Sequence, residues 1–237
     1  MRTALVTGGS SGIGLEFVRQ LLEQGCRVIA GSRAAESCEA LDGLQAEHGA
    51  RLLVQNVDVA CEASRRRFLD SVRVWTEQLD LLVNAAGIIS GDEENVSVFG
   101  ALEQEELART FLVNSIAPLM VVEAFSPLLA KGTRPMVLNL SSLNGSIARW
   151  DRPGKYSYTA SKAALNMITK GLSFELREAG VRVVAFHPGW VKTWMTRNEP
   201  APMHPEESVG GMLRVADSLT LEDSGRFLDW KGNEVPW

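Results

Sequence analysis

Short runs of β-branched and aliphatic residues alternate along the chain with longer stretches in which apolar positions recur every three or four residues. The short runs lie at residues 3–7, 27–31, 51–57, 79–84, 135–140, 181–186 and 226–230. Their near-continuous hydrophobicity is that of strands covered on both faces. Between the first two, Ile13, Phe17, Val18, Leu21 and Leu22 recur at helical intervals, and Gly25 marks a helix stop. Residues 62–78 repeat the pattern with Phe68, Leu69, Val72 and Trp75, whereas Arg65, Arg66 and Arg67 fall mostly on the opposite, solvated side. Strand, crossover helix and strand in succession predict an α/β fold, a parallel sheet with helices on both faces. No repeat, low-complexity tract or Pro/Gly/Ser linker divides the 237 residues, so residues 1–237 are expected to form one domain. The irregular stretch 195–207 carries Pro200, Pro202 and Pro205, which predict a surface excursion or lid rather than a regular helix.

Charge and cysteine usage narrow the partners. Lys and Arg total 24 against 29 Asp and Glu, a net charge of −5, which leaves no basic footprint for nucleic acid or an anionic membrane. Cys26, Cys38 and Cys61 are odd in number and form no CxxC pair, as expected of a reducing, cytoplasmic compartment. His48, His187 and His204 lie far apart, with no spacing that gathers metal ligands, so no metal is expected. No uninterrupted apolar run approaches the ~18 residues of a membrane span, and the apolar stretch 4–6 is too short for a signal-peptide core of about 7–15. A small molecule is the expected partner.

Directly after the first strand comes Thr7-Gly8-Gly9-Ser10-Ser11-Gly12-Ile13-Gly14, running into the first helix. Glycines there let the backbone turn sharply and approach a pyrophosphate, which sits against free N–H groups at the helix start. The second strand leads into Ser32 and Arg33, with no carboxylate to accept a ribose 2′-hydroxyl. The planar guanidinium of Arg33 instead suits a 2′-phosphate, which favours NADP over NAD. Tyr158 and Lys162 lie four apart at the start of a helix predicted over 158–177, so both project from one face. A nearby ammonium favours an ionised phenol and lowers its pKa toward the range of an acid–base catalyst. Ser142 lies just past the strand 135–140, and Gly8, Arg33, Asp58, Asn84, Ser142 and Pro188 each follow a different strand. All six therefore converge on the carboxyl edge of the sheet, where open α/β sheets bind their ligands.

As an ordered set, these motifs resemble the short-chain dehydrogenase/reductase family over nearly the whole chain, with its single-domain, doubly wound Rossmann-type sheet. The set is Thr7 to Gly14, Asp58-Val59, Asn84-Ala85-Ala86-Gly87, Asn114, Ser142, Tyr158-Thr159-Ala160-Ser161-Lys162, and Pro188-Gly189-Trp190-Val191-Lys192-Thr193. The resemblance implies that Tyr158 donates a proton to a carbonyl oxygen that Ser142 holds and polarises. Lys162 would bind the nicotinamide ribose and lower the Tyr158 pKa, and Asn114 would position a water in the proton relay. Gly8, Ser10, Ser11, Gly12, Ile13 and Gly14 would cradle the cofactor, Asp58 and Val59 would contact adenine, and Asn84 and Gly87 would support the dinucleotide. Pro188, Val191 and Thr193 would border its carboxamide. Residues 186–193 and 221–227, with Pro236-Trp237, look like the C-factor and Sniffer group of carbonyl reductases.

Three departures stand out. Asn84-Ala85-Ala86-Gly87 replaces the usual two asparagines, Ser11 stands where many NADP-using members carry a second basic residue, and the interval from Ser142 to Tyr158 is long. The expected activity is NADPH-dependent reduction of an aldehyde or ketone; the contrasting reading is a signalling or dinucleotide-sensing protein with little turnover. His187, before a proline at a strand end, is read as structural. Trp150, Trp190 and Trp194 are expected near a substrate pocket for a neutral, largely apolar carbonyl compound, and Trp230 and Trp237 in packing. The resemblance further implies a dimer or tetramer.

Overall fold

Each of the seven apolar runs becomes a strand in the computed structural model, which describes residues 1–89 and 98–237. The strands are β1 (Thr3–Thr7), β2 (Arg27–Ser32), β3 (Leu52–Asn56), β4 (Leu81–Asn84), β5 (Met136–Leu140), β6 (Arg182–His187) and β7 (Phe227–Asp229). All pair in parallel in one sheet of order β3-β2-β1-β4-β5-β6-β7. Boundaries differ from the sequence expectation by one or two residues, because burial on both faces leaves the ends of each run as its only ambiguity.

Strand side chains alternate between two cores. Ala4, Val6, Val28 and Ala30 meet α1 (Gly12–Glu23), α2 (Glu39–His48) and α7 (Pro205–Ser218) through Phe17, Leu21, Leu41 and Met212. Leu5, Ile29, Leu82 and Val137 meet α3 (Glu62–Trp75), α5 (Ala117–Leu129) and α6 (Tyr156–Glu175) through Phe68, Phe125 and Leu172. Helix α4 (Gln104–Phe111) runs into α5 through a π-helical turn, Leu112–Ile116. The continuous helix Gln104–Leu129 has the length and hydropathy of a membrane span. Half of that apolar window is buried inside the protein, with Ala117, Val121, Val122, Phe125, Leu128 and Leu129 in the second core.

Helix α7 corrects the reading of residues 195–207. Pro205 does not exclude helix; it opens one, at the first turn, where its missing N–H costs nothing and Glu206 and Glu207 face the positive helix end. The excursion proper ends before it, with the 3₁₀ turn Trp194–Thr196 and a bridge between Val191 and Met203.

His187 closes β6 as structure. Its Nδ1 accepts the Leu143 N–H at 3.2 Å and so fixes the turn beyond β5. Burial, with the charge of Arg149 acting the same way, pushes its pKa down to about 4. The folded protein therefore resists a proton that the unfolded chain binds below its ordinary value near ~6.5, and stability falls as pH drops through that window toward 4. His187→Asn keeps an acceptor and removes the titration. Denaturant unfolding at pH 7 and pH 4.5 should show the unmodified protein losing about 2 kcal/mol more than the variant; equal losses would rule out a neutral His187.

Candidate active site

The carboxyl ends of β1, β2, β4 and β5 lie side by side, in register Thr7 with Gly31, Thr7 with Asn84, and Asn84 with Asn139. From β1 the chain order runs outward in both directions, so a crevice opens where β1 and β4 adjoin. Gly8 turns the chain there at φ +72, and an added Cβ would stand 2.8 Å from the Ala86 nitrogen. Gly14 lets α1 cross the turn, since a Cβ would reach 2.1 Å from the Gly8 oxygen. Ser11 precedes α1 in extended conformation without a side-chain cap, which leaves the helix amide groups open to an anion. Ser10, Gly12 and Ile13 belong to the same turn, and Gly12 backs onto Thr193.

At the far end of the crevice, Ser32 closes β2 with its Oγ buried and without a hydrogen-bond partner among the described residues. Arg33 beside it is exposed. Asp58 is exposed as well, one carboxylate oxygen accepting the Ala60 N–H at 3.0 Å, and Val59 is buried next to it. Across the crevice Pro188 is held through its carbonyl by the Ser208 hydroxyl at 2.6 Å. Val191 is buried, and its carbonyl and the Thr193 N–H are both tied to the Thr196 hydroxyl.

Beyond β5, Ser142 begins a 3₁₀ turn (Leu143–Gly145) and its Oγ accepts the Asn144 N–H at 3.2 Å. The turn lies against α6 because residue 145 is glycine: a Cβ would stand 2.8 Å from the Lys162 carbonyl carbon. That contact brings Ser142 within range of the Tyr158 phenol. Lys162 is buried, and its Nζ donates to the Leu140 carbonyl at 2.7 Å. Gly87 reaches the same place: a Cβ there would lie 3.7 Å from Lys162 Nζ and 3.4 Å from Asn114 Oδ1.

The electrostatics depart from the expectation that Lys162 lowers the Tyr158 pKa. Burial pushes the Tyr158 phenol up, with the hydrogen bond from Ser142 pulling down and the charge of Glu199 pushing up. Burial also pushes Lys162 down, to about 8. The ammonium is directed at Leu140 and lies 5.8 Å from the tyrosine ring centre, so in the protein alone desolvation outweighs the cation.

Two asparagines make buried bonds within the protein. Asn114, fully buried on the π-helical turn, donates through Nδ2 to the Ile88 carbonyl at 2.9 Å and the Ser161 hydroxyl at 3.1 Å. Its Oδ1 accepts the Ile88 N–H at 2.9 Å. With both donors committed, the side chain clamps residues 87–88 beside Lys162. Asn84 donates to Asn139 at 2.8 Å and so ties the end of β4 to β5.

Several supporting residues carried no local signal. Ser161 is one, and Asn166 is another: it accepts from Ser141 at 2.5 Å and donates to the Gly145 carbonyl at 3.1 Å. The chain end also braces the loop after Ser142, through Ser146 to the Pro236 carbonyl and the Ala148 N–H to the Trp237 carbonyl. Trp237 stacks on Phe227, and Trp230 packs against the first core, as expected. Trp190 and Trp194 are exposed and Trp150 half-buried on the side of Tyr158 and Ser142. A cavity of about 290 Å³ lies at the opposite, amino edge of the sheet. Its Arg134 and Arg182 donate to the Leu219 carbonyl and its Arg2 pairs with Asp217, a clamp on the end of α7.

Comparison with known proteins agrees with this geometry. The family model described as short chain dehydrogenase matches residues 2–203. The C-signal protein of Myxococcus xanthus is 42% identical over 170 residues, covering 70% of this chain and 98% of that protein. Two solved structures superpose over the whole chain. The NADPH-bound carbonyl reductase from chicken fatty liver does so at TM-score 0.89 and 36% identity, covering 99% of that chain. The carbonyl reductase Sniffer of D. melanogaster does so at 0.92 and 29%, covering all of that chain. The narrower likeness to the C-factor and Sniffer group thus holds, and the chain belongs to the short chain dehydrogenase family.

Proposed function

We propose that the protein is an NADPH-dependent carbonyl reductase, reducing an aldehyde or ketone and, in reverse, oxidising the matching alcohol. The observation that carries the reading is Ser142 set within range of the Tyr158 phenol, with Lys162 buried beside them, at the edge of a glycine cradle. The residues fit the dinucleotide: the uncapped start of α1 suits its phosphates, and the orphaned Ser32 hydroxyl beside exposed Arg33 suits a 2′-phosphate. Gly8, Ser10, Ser11, Gly12, Ile13 and Gly14 would hold the pyrophosphate, Asp58 and Val59 the adenine, and Gly87 and Lys162 the ribose. Pro188, Val191 and Thr193 would border the nicotinamide. Bound there, the cofactor supplies the hydride to the carbonyl carbon. Support comes also from NADPH in the chicken relative and NADP in a carbonyl reductase of Pseudomonas aeruginosa, 29% identical.

The chain's own part is the proton. Ser142 hydrogen-bonds the carbonyl oxygen and aligns it with Tyr158, which gives up its phenolic proton as charge develops on that oxygen. Burial keeps Tyr158 protonated and ready to donate in the reductive direction. Lys162 stabilises the phenolate left behind. With the Asn114 amide donors already committed, its side chain positions residues 87–88. A second reading, a signalling protein with little turnover, is favoured by the likeness to C-signal.

Tyr158→Phe should lower kcat for carbonyl reduction by at least about 10²-fold while NADPH still binds, since the ring and the glycine turn are untouched. Fluorescence titration with NADPH beside turnover checks this, and near-normal turnover would sink the mechanism. Lys162→Ala should raise KM for NADPH and lower kcat together. Turnover should be faster with NADPH than NADH; Arg33→Val should narrow the preference, and adding Ser32→Asp should narrow it further or reverse it by repelling a 2′-phosphate. Equal kcat/KM for both cofactors in the unmodified protein would contradict the role of Arg33. Along a homologous series of neutral aldehydes, kcat/KM should rise with apolar size until the pocket fills, by up to roughly 1–3 kcal/mol per methylene. A flat series would leave Trp150, Trp190 and Trp194 without a substrate role.

A further inference from the structure

Glu199 lies in the excursion between β6 and α7, and three observations place its carboxylate between Trp190 and the start of the helix that carries Tyr158. Trp190, just beyond β6, donates its ring N–H to Glu199 Oε2 at 2.7 Å. Lys155, the residue that opens the helix of Tyr158, has its Nζ 3.9 Å from Glu199 Oε1. The Glu199 backbone N–H is held by the Thr196 carbonyl at 2.9 Å, so the side chain is presented from a fixed turn. The carboxylate is thus spanned between the segment that borders the crevice and the start of the catalytic helix, and its charge reaches the Tyr158 phenol.

We propose that Glu199 is a specificity-determining residue that sets the charge of the accepted carbonyl compound, rejecting anionic substrates and favouring neutral or cationic ones. The inference rests on the reductase reading above and deepens it. A substrate carbonyl must reach Tyr158, and any group it carries toward the mouth passes the Glu199 carboxylate. Lys155 opposes that charge only in part, because the two are 3.9 Å apart and both side chains are 43% exposed. Among the other cations nearby, Lys162 is turned inward to Leu140, Arg197 lies over the Trp194 ring and Lys192 lies against His204. Arg149, before α6, acts on His187. An exposed carboxylate at this range discriminates by a factor of several rather than by orders of magnitude, and salt weakens it.

The test compares benzaldehyde, 4-carboxybenzaldehyde and 4-(trimethylammonio)benzaldehyde as substrates of the full chain with NADPH, in the unmodified protein and in Glu199→Gln. The amide keeps an acceptor for Trp190 and removes the charge. The kcat/KM ratio of carboxylated to neutral aldehyde should rise about fivefold in the variant and that of the cationic aldehyde should fall comparably, both effects shrinking at high salt. Lys155→Met, which takes away the opposing cation, should move both ratios the other way. A second readout needs no turnover: the chain has two tyrosines, so in a Tyr156→Phe background tyrosinate absorbance reports Tyr158 alone. Adding Glu199→Gln should then let Tyr158 ionise at lower pH. Turnover with unchanged ratios, or an unchanged Tyr158 titration, would overturn the proposal. Failure to reduce any aldehyde would instead remove the reductase reading, and this inference with it.

Discussion

The site depends on one buried chain of hydrogen bonds that ties the sheet to the catalytic helix. Asn84 of β4 donates to Asn139 of β5, Asn139 donates to Thr169 of α6 at 2.9 Å, and Thr169 donates to the Leu165 carbonyl. Each member is almost or wholly inaccessible to water, so a gap anywhere would leave a polar group unsatisfied at a cost of about 1–3 kcal/mol. Apolar packing alone would let α6 slide along the sheet. The polar chain permits one register, and in that register Lys162 meets the Leu140 carbonyl and Asn166 meets the Gly145 carbonyl. The placing of Ser142 beside Tyr158 is a consequence.

Burial then sets the protonation of the site. Desolvation disfavours charge on both Tyr158 and Lys162, raising one pKa and lowering the other to about 8, so at neutral pH the phenol holds its proton and the lysine is still an ammonium. The i, i+4 spacing suggests an ammonium acting on a phenol, and spacing alone cannot show that the ammonium is aimed at a strand carbonyl instead. Glu199 adds a negative charge from the outer side. The phenol therefore sits between a buried lysine and an exposed carboxylate, and the proton it carries is favoured by both burial and the carboxylate's charge.

The strands and their polar ends were legible because a strand buried on both faces writes itself as an apolar run and the chemistry begins where the run stops. The glycine turn was legible because positive φ and close backbone approach leave few alternatives at Gly8 and Gly14. What stayed hidden depends on contacts across the fold. The π-helical turn that buries Asn114 arises from packing α4 and α5 around Ile88 and Ser161, and no local propensity encodes it. Asn84 sits within the strand-end motif, yet its side-chain partner is Asn139, 55 residues away. Glu199 and the bracing by Pro236 and Trp237 are likewise invisible without the third dimension.

Catalysis and sensing make different demands on such a scaffold. A sensor of the dinucleotide needs the glycine turn, the open start of α1 and Arg33, all of which rest on β1 and β2 and their own core. It has no need to place a desolvated phenol against a serine hydroxyl on a different element. Here that placement draws on Gly145, which alone among residues allows the turn after β5 to touch α6, and on buried Ser141, Asn166, Thr169 and Lys162. Each buried polar side chain adds a desolvation cost that an apolar residue of similar size would avoid. Carrying these costs on the β4, β5 and α6 side, away from the strands that would recognise the dinucleotide phosphates, is what the proposed proton transfer requires, and a signalling role would have to act through that chemistry or beside it.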